Sequence, residues 1–405
     1  MPADPAAAPP PAVVRALTRL PRPICAYVYD LQVLRDRGAA VRAALPPGTT
    51  LLYAVKANGH PAVVRTLAEV CDGLEVASGG ELDLATAAGA RRIVFGGPAK
   101  TDAELAAAVS AGAQINVESR LELLRLDLAA RQAGRRVRSA VRVNRATAAL
   151  PGSHAMTGTP TPFGVDETGL GEIIALARTL AHVRVVGFHL HAVSNNLDAA
   201  AHAAFVADAL AWSRRQDIDL ELVNVGGGLG VDYLSGAGID LDELRRLLPR
   251  PPDGVELIVE PGRILAADAG WYAAEVLDLK QTHGRWFAVL RGGTHHFRLP
   301  AAWAYSHPFT VLPVDDWPYP WPRPAVEDAD IDAVGELCTP RDVLSRGRHV
   351  ERLRVGDVLV FPRTGAYGWD ISHHDFLRHP HPEVVLLDGS GPVDPAAHTR
   401  ARPAG

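Results

Sequence analysis

Between residues 51 and 263 the chain repeats one unit eight times: a short run rich in Val, Ile and Leu, a polar or glycine-rich break, and then in most cases a segment of helical period. The runs are "LLYAVKAN", "GLEVAS", "RIVFGG", "AQINVES", "SAVRVN", "VVGFHLHAV", "LELVNVGGG" and "ELIVEPGR". Segments 61–71, 80–90, 101–112, 119–134, 168–181, 198–215 and 240–249 between and after them carry apolar residues at helical spacing. Strands that alternate with helices lie parallel, because the helix returns the chain to the starting edge of the sheet. Eight such units predict a closed (β/α)8 TIM barrel; an open doubly wound sheet is the other architecture the alternation allows.

A barrel predicts where chemistry sits, since its site is built from the loops that follow the carboxyl ends of the strands. Those ends carry Lys56, Ser78, Gly96, Gly97, Glu118, Asn144, His191, Gly226, Gly227, Gly228, and Glu260 with Arg263. Polar groups and glycines gather where the rule wants them. One connection, residues 145–166, is too long for a plain βα loop and reads as a lid or a disordered stretch. After about 270 helical periodicity fades, and "RWFAVLRGG", "VERLRVGDVLVF" and "EVVLLD" read as strands joined by turns. The predicted organisation is a barrel over 30–270 and an antiparallel β-barrel domain over 271–395, joined by a strand from 20–29. Residues 1–15 and 396–405 read as loose tails, the first being Pro/Ala-rich.

A net charge of −5, without a basic run interleaved with aromatics, excludes a nucleic-acid binder. Three scattered cysteines, Cys25, Cys71 and Cys338, do not make a disulfide framework and fit a reducing cytoplasm. No window reaches the roughly 18 continuous apolar residues of a membrane helix, and the start lacks the apolar core of a signal peptide. A cytoplasmic protein without a membrane partner is expected.

Lysine is scarce: the chain has Lys56, Lys100 and Lys280 among 41 basic residues. At a strand end, a lysine snorkels to solvent or, when partly desolvated, becomes a nucleophile that forms an imine. "VGGGLG" is a turn or a phosphate cradle, since consecutive glycines let backbone N–H groups approach an anion. In "VEPGR", Glu260 beside Gly262 and Arg263 is an internal ion pair, or a carboxylate facing a cationic ring with an arginine for a phosphate. His189 and His191 share one face of a strand, but no third metal ligand stands near them, so no metal is expected. His191 is a core histidine or a flat ring for stacking. Cys338 is an inert thiol or a general acid, and Tyr367 a core ring or a phosphate donor. Read together, an amine, a phosphate cradle, a carboxylate and a flat ring describe pyridoxal 5′-phosphate.

The ordered set "YAVKAN", "LEVASGGEL", "GFHLHAVS", "NVGGGLG", "VEPGR", "GELCTPRD" and "GAYG" resembles the fold-type III pyridoxal-phosphate decarboxylases acting on ornithine, arginine or diaminopimelate, over about residues 25–390. The resemblance implies an alanine racemase-like barrel with a C-terminal β-barrel, in a homodimer with shared active sites. It implies Lys56 as the cofactor-bearing lysine, Glu260 at the pyridine nitrogen and His191 on the ring face. Ser194, Gly226, Gly227, Gly228, Gly262, Arg263 and Tyr367 would hold the phosphate, with Glu75 and Arg142 in support. Val193 departs from the glycine usual there. Cys338, from a partner subunit, would return a proton to the decarboxylated carbon.

Diamine-forming relatives carry an acid directly after this cysteine; here Thr339, Pro340 and Arg341 follow. An arginine suits a carboxylate, not a second ammonium, unless it merely pairs with Asp342. "RGGTHHFRLP" adds His295, His296 and Arg298, so the expected small-molecule amino-acid substrate has an anionic distal part. "GGTHHFRLP" and "CTPRD" resemble the branch of carboxylate-siderophore biosynthesis, which decarboxylates a citryl-diaminopropionate conjugate. Diaminopimelate decarboxylation, an amino-acid racemase and a non-catalytic regulatory homologue are the other readings. The presence of both Lys56 and Cys338 speaks against the last of these.

Overall fold

The computed structural model describes residues 8–147, 150–389 and 391–393. They form two compact units: residues 35–231 with 238–265, and the described residues up to 34 with 232–237 and those from 266 onward.

The first unit is a closed parallel barrel. Strands Thr50–Ala54, Gly73–Val76, Ile93–Phe95, Gln114–Val117, Val137–Asn144, Val183–His189, Leu222–Asn224 and Glu256–Val259 each pair with their neighbours in sequence. The ring closes where Ile258 stands opposite Thr50 and Val259 opposite Leu51. Leu52, Val94, Ala140, Val186, Leu222 and Ile258, all fully buried, pack as one cluster. Interior side chains fill the barrel, so polar groups gain access only at its rim.

The helices begin where the sequence supplies caps. Ser78 accepts from the Glu81 N–H, Ser119 from the Glu122 N–H, and Thr101 makes a reciprocal capping box with Glu104. Ser78, a strand-end polar group, is thereby a helix cap.

Lys100 is equally structural. Its side chain is 1% exposed, and Nζ donates to Gly97 O at 2.6 Å, Asn116 O at 2.9 Å and Glu122 Oε1 at 2.5 Å. Burial raises the Glu122 carboxyl pKa, while Lys100 pulls against that rise. Lys100→Met leaves this carboxylate buried without its cation, so a loss of about 3–5 kcal/mol in urea unfolding is expected. An unchanged midpoint would show the pair to be dispensable.

The second unit is a nine-stranded sheet in which Gly270–Thr282 is the hub, pairing with Cys25–Asp30, Arg285–Leu290 and Val358–Phe361. The expected all-antiparallel pattern is corrected to a mixed one. Cys25–Asp30 runs parallel to Glu383–Asp388, and Arg285–Leu290 parallel to Ala325–Val334. Both parallel pairs join strands distant in sequence, where no hairpin dictates direction.

The expected loose tail over 1–15 is corrected as well. Pro11–Leu17 is a helix that starts on proline, where the missing N–H costs nothing. It buries Val13, Ala16 and Leu17 against Ile24, Val28, Trp271 and Val360. The parts of the tails at 1–7 and 396–405 lie outside the described residues. Among the described residues no helix is long and apolar enough to cross a membrane.

Candidate active site

The first barrel strand ends in a single 3₁₀ turn, Val55–Ala57, which lifts Lys56 to the rim. Its side chain is 47% exposed, and Nζ donates to Glu75 Oε2 at 2.7 Å; the Glu75 side chain is 4% exposed. The amine is thus held by a buried carboxylate while about half of its side chain stays open to solvent. Gly262 serves this turn directly. A Cβ there would lie 2.7 Å from Ala57 Cβ, so the last strand packs against the Lys56 turn only because residue 262 is glycine.

Deeper in the rim, Glu260 is 5% exposed. Asn224 Nδ2 donates to its Oε1 at 2.5 Å, and His189 Nε2 lies 3.4 Å from its Oε2. Burial alone would raise its pKa; the His189 ring, the Asn224 amide and the Lys56 ammonium outweigh that and hold the carboxyl well below its usual range. Glu260 is therefore a fixed anion. Among the described residues Nδ1 of His189 and Nδ1 of His191 have no hydrogen-bond partner. Burial, then the Arg142 charge, then His189 and Lys56 push the His191 pKa far down, so its ring is neutral. The two imidazoles lie 6.3 Å apart, 25° from parallel.

The glycine triplet is shaped by that ring. A Cβ on Gly226 would stand 2.5 Å from His191 Nδ1, one on Gly227 2.5 Å from Glu260 O, and one on Gly228 2.8 Å from Val193 O. Gly226 and Gly228 also have φ of +68° and +104°. Asn224 Oδ1 fixes the entry by accepting from the Gly226 N–H at 2.8 Å.

Ser194 sits in a short ladder: residues 193–194 pair antiparallel with His154–Ala155 of the long 145–166 connection. Among the described residues no protein group takes up its hydroxyl. The far end of that connection is held too. Glu118 accepts from the N–H groups of Gly97 at 3.0 Å and Gly164 at 2.9 Å and from Arg142 at 3.1 Å, and Phe163 lies 4.7 Å from the Arg142 guanidinium. Arg263, 6% exposed, begins the turn after Glu260.

The barrel rim thus brings together Lys56, Glu75, Arg142, His191, Ser194, the glycine triplet, Glu260, Gly262 and Arg263. Sequence reasoning missed Asn224, whose signal was an amide at the end of a strand, two residues before the first glycine. Orphaned imidazole nitrogens, a free hydroxyl, a backbone cradle without Cβ atoms and a buried fixed anion fit a flat, phosphorylated, cationic heterocycle. Among the described residues no group of three or more His, Cys, Asp or Glu is placed to hold a metal.

The β unit holds the other predicted residues. Tyr367 adopts φ +55° in the turn after Val358–Phe361. Cys338 is exposed, whereas Cys25 and Cys71 are buried. Thr339 and Arg341 line a cleft of about 750 Å3 with Arg298, Arg346, Thr294 and His373, and no acidic side chain lines it. Neither the Arg298 nor the Arg341 side chain has an acidic partner among the described residues. Asp342 forms no ion pair with Arg341 and instead accepts from the N–H groups of Thr294 and Leu337. The rings of His295 and His296 are buried, each 0% exposed, with His296 Nδ1 3.4 Å from Cys25 Sγ.

Residues 31–267 match the family model described as "Pyridoxal-dependent decarboxylase, pyridoxal binding domain". The chain is 39% identical over 387 residues to the 2-((L-alanin-3-ylcarbamoyl)methyl)-2-hydroxybutanedioate decarboxylase of Staphylococcus aureus, covering 93% of this chain and 97% of that one. It is 31% identical over 394 residues to the L-glutamyl-(BtrI acyl-carrier protein) decarboxylase of Niallia circulans, covering 90% and 89%. The crystal structure of diaminopimelate decarboxylase from Helicobacter pylori complexed with L-lysine is similar at a TM-score of 0.77 and 26% identity, over 92% of this chain and 94% of that one.

Proposed function

The chain belongs to the pyridoxal-dependent decarboxylases; from that premise we propose that it removes the α-carboxylate of a citryl-diaminopropionate-type amino acid, a step in making a carboxylate siderophore. The observation that carries this choice is the β-unit cleft, where Arg298 and Arg341 have no acidic partner among the described residues and no acidic side chain stands in the lining. A substrate with a distal ammonium needs a carboxylate partner there; one with distal carboxylates needs guanidinium groups. The Staphylococcus aureus relative is named for a hydroxybutanedioate of that kind, and the Niallia circulans relative for a glutamyl group joined to a carrier protein. Diaminopimelate is the second reading, favoured by the likeness to the lysine-complexed enzyme.

The cofactor is pyridoxal 5′-phosphate, which when bound supplies the sink for the electrons of the breaking Cα–carboxylate bond. Lys56 would carry it, with Glu75 placed beside the lysine nitrogen. Glu260, held as an anion, would keep a proton on the ring nitrogen, and neutral His191 would offer its face to the ring. Ser194, the N–H groups of Gly226, Gly227 and Gly228, and Arg263 would take the phosphate. Gly262 keeps the Lys56 turn seated, and Arg142, fixed by Glu118, closes the rim. Cys338 of a second copy returns a proton to Cα, in a cytoplasmic homodimer with shared sites. Thr339, Arg341 and Arg298 receive the distal carboxylates; His295 and His296 support the cleft wall from within.

Carbon dioxide release and product masses should be measured with citryl-diaminopropionate, meso-diaminopimelate, ornithine, lysine and arginine. Turnover of the citryl conjugate is expected, and Arg341→Ala should raise its KM about 10–100-fold, the value of a charge-assisted hydrogen bond. Preference for diaminopimelate, or equal damage by Arg341→Ala on both substrates, discards the role given to the cleft.

A further inference from the structure

We propose that Asp342 is the positioning residue of the substrate loop: one buried carboxylate clasps the 335–342 segment to the 291–297 turn and so fixes Cys338, Thr339 and Arg341. Its importance for substrate rests on the cleft reading above; the clasp itself rests on geometry alone.

Asp342 is 2% exposed. Oδ1 accepts from the Thr294 N–H at 2.6 Å and Oδ2 from the Leu337 N–H at 2.9 Å, so one side chain bonds two turns 43 residues apart in number. Its backbone carbonyl also accepts from the Gly335 N–H at 2.9 Å, which closes the loop at its base. Both motifs leave space for it. A Cβ on Gly293 would stand 2.5 Å from the carboxylate and one on Gly335 2.2 Å from it. Glu336 repeats the bond in the other sense: its carboxylate accepts from the Gly292 N–H at 2.9 Å and from Arg291, and its own N–H donates to Gly292 O. "RGGTH" and "GELCTPRD" are therefore two halves of one lock. At its tip Cys338 is exposed, and among the described residues the Arg341 side chain has no acidic partner. A loop fixed at its base presents a thiol and a guanidinium without the entropic cost of ordering them when substrate arrives.

The test uses Asp342→Asn, which keeps the shape but cannot accept from both N–H groups, and Gly293→Ala, which keeps the carboxylate and presses on it. Iodoacetamide labelling of the purified holoenzyme, read by mass spectrometry, follows Cys338. Cys25 and Cys71 are internal controls, since burial pushes their thiols up to about 11 and about 12. In either variant Cys338 labelling should accelerate about tenfold, and KM for citryl-diaminopropionate should rise about tenfold, as expected for one lost buried hydrogen bond. A folded variant with wild-type labelling overturns the clasp, whatever its melting temperature. Faster labelling with unchanged KM keeps the clasp and removes the loop from substrate recognition, which separates the two claims. If Asp342→Asn does not fold, Gly293→Ala decides alone.

Discussion

Lys56→Ala is expected to abolish both turnover and the visible absorbance of bound pyridoxal phosphate. No other amine can take its place: Lys100 is buried in its own ion pair, and Lys280 lies on the β unit beside Asp278. On the proposed reading Lys56 would both hold the cofactor and exchange protons during the reaction, so the loss of kcat should be about 10⁴-fold, at the upper end for one acid–base group. The second readout is independent of activity. Borohydride should fix radiolabelled cofactor on the wild type and not on the variant. A reducible linkage that survives in Lys56→Ala would remove the lysine from its role.

Glu260→Gln is expected to lower kcat about 10²–10³-fold, the scale of one preorganised electrostatic partner in a dry site. The amide keeps the size of the side chain and its bond to Asn224, so the barrel rim should remain intact. What it removes is the fixed negative charge. The carboxyl is held well below its ordinary range, so it does not titrate between pH 5 and 9 and cannot give the acid limb of the wild-type profile. The variant's rate should therefore be low across that whole window, with cofactor affinity changed less than kcat because the phosphate cradle is untouched. A wild-type kcat in Glu260→Gln would show that the ring nitrogen needs no anionic partner here.

Much of the barrel and its rim was legible because its signals are local. A buried parallel strand is a short apolar run, its helix follows within a few residues, and the polar break between them marks the functional end. Lys56, the glycine triplet and Glu260 were visible as polar or side-chain-free residues at the breaks that follow apolar runs. Even there, Ser78 was ambiguous: the same position that offers a site residue also offers a helix cap, and the cap won. The β unit was less legible. The start of the chain looked like a tail by composition, yet Val13, Ala16 and Leu17 at helical spacing find a sheet to cover.

What the sequence by itself determined is the chemistry that depends on residue identity at a strand end: an amine, a cradle without side chains, an anion and an arginine after the cysteine. What only the tertiary structure decided is which groups face each other. Asp342 follows Arg341 in the chain, yet pairs with the backbone of Thr294 and Leu337, leaving the guanidinium free. His295 and His296 stand beside Thr294 in sequence, yet their rings point into the interior. Strand direction in the mixed sheet was decided the same way, by pairing between Cys25–Asp30 and Glu383–Asp388. The reason is common to all three. Adjacent residues share a backbone, but the partner of a buried polar group is set by which distant N–H or carboxylate the fold brings within hydrogen-bond reach, and no local pattern encodes that distance.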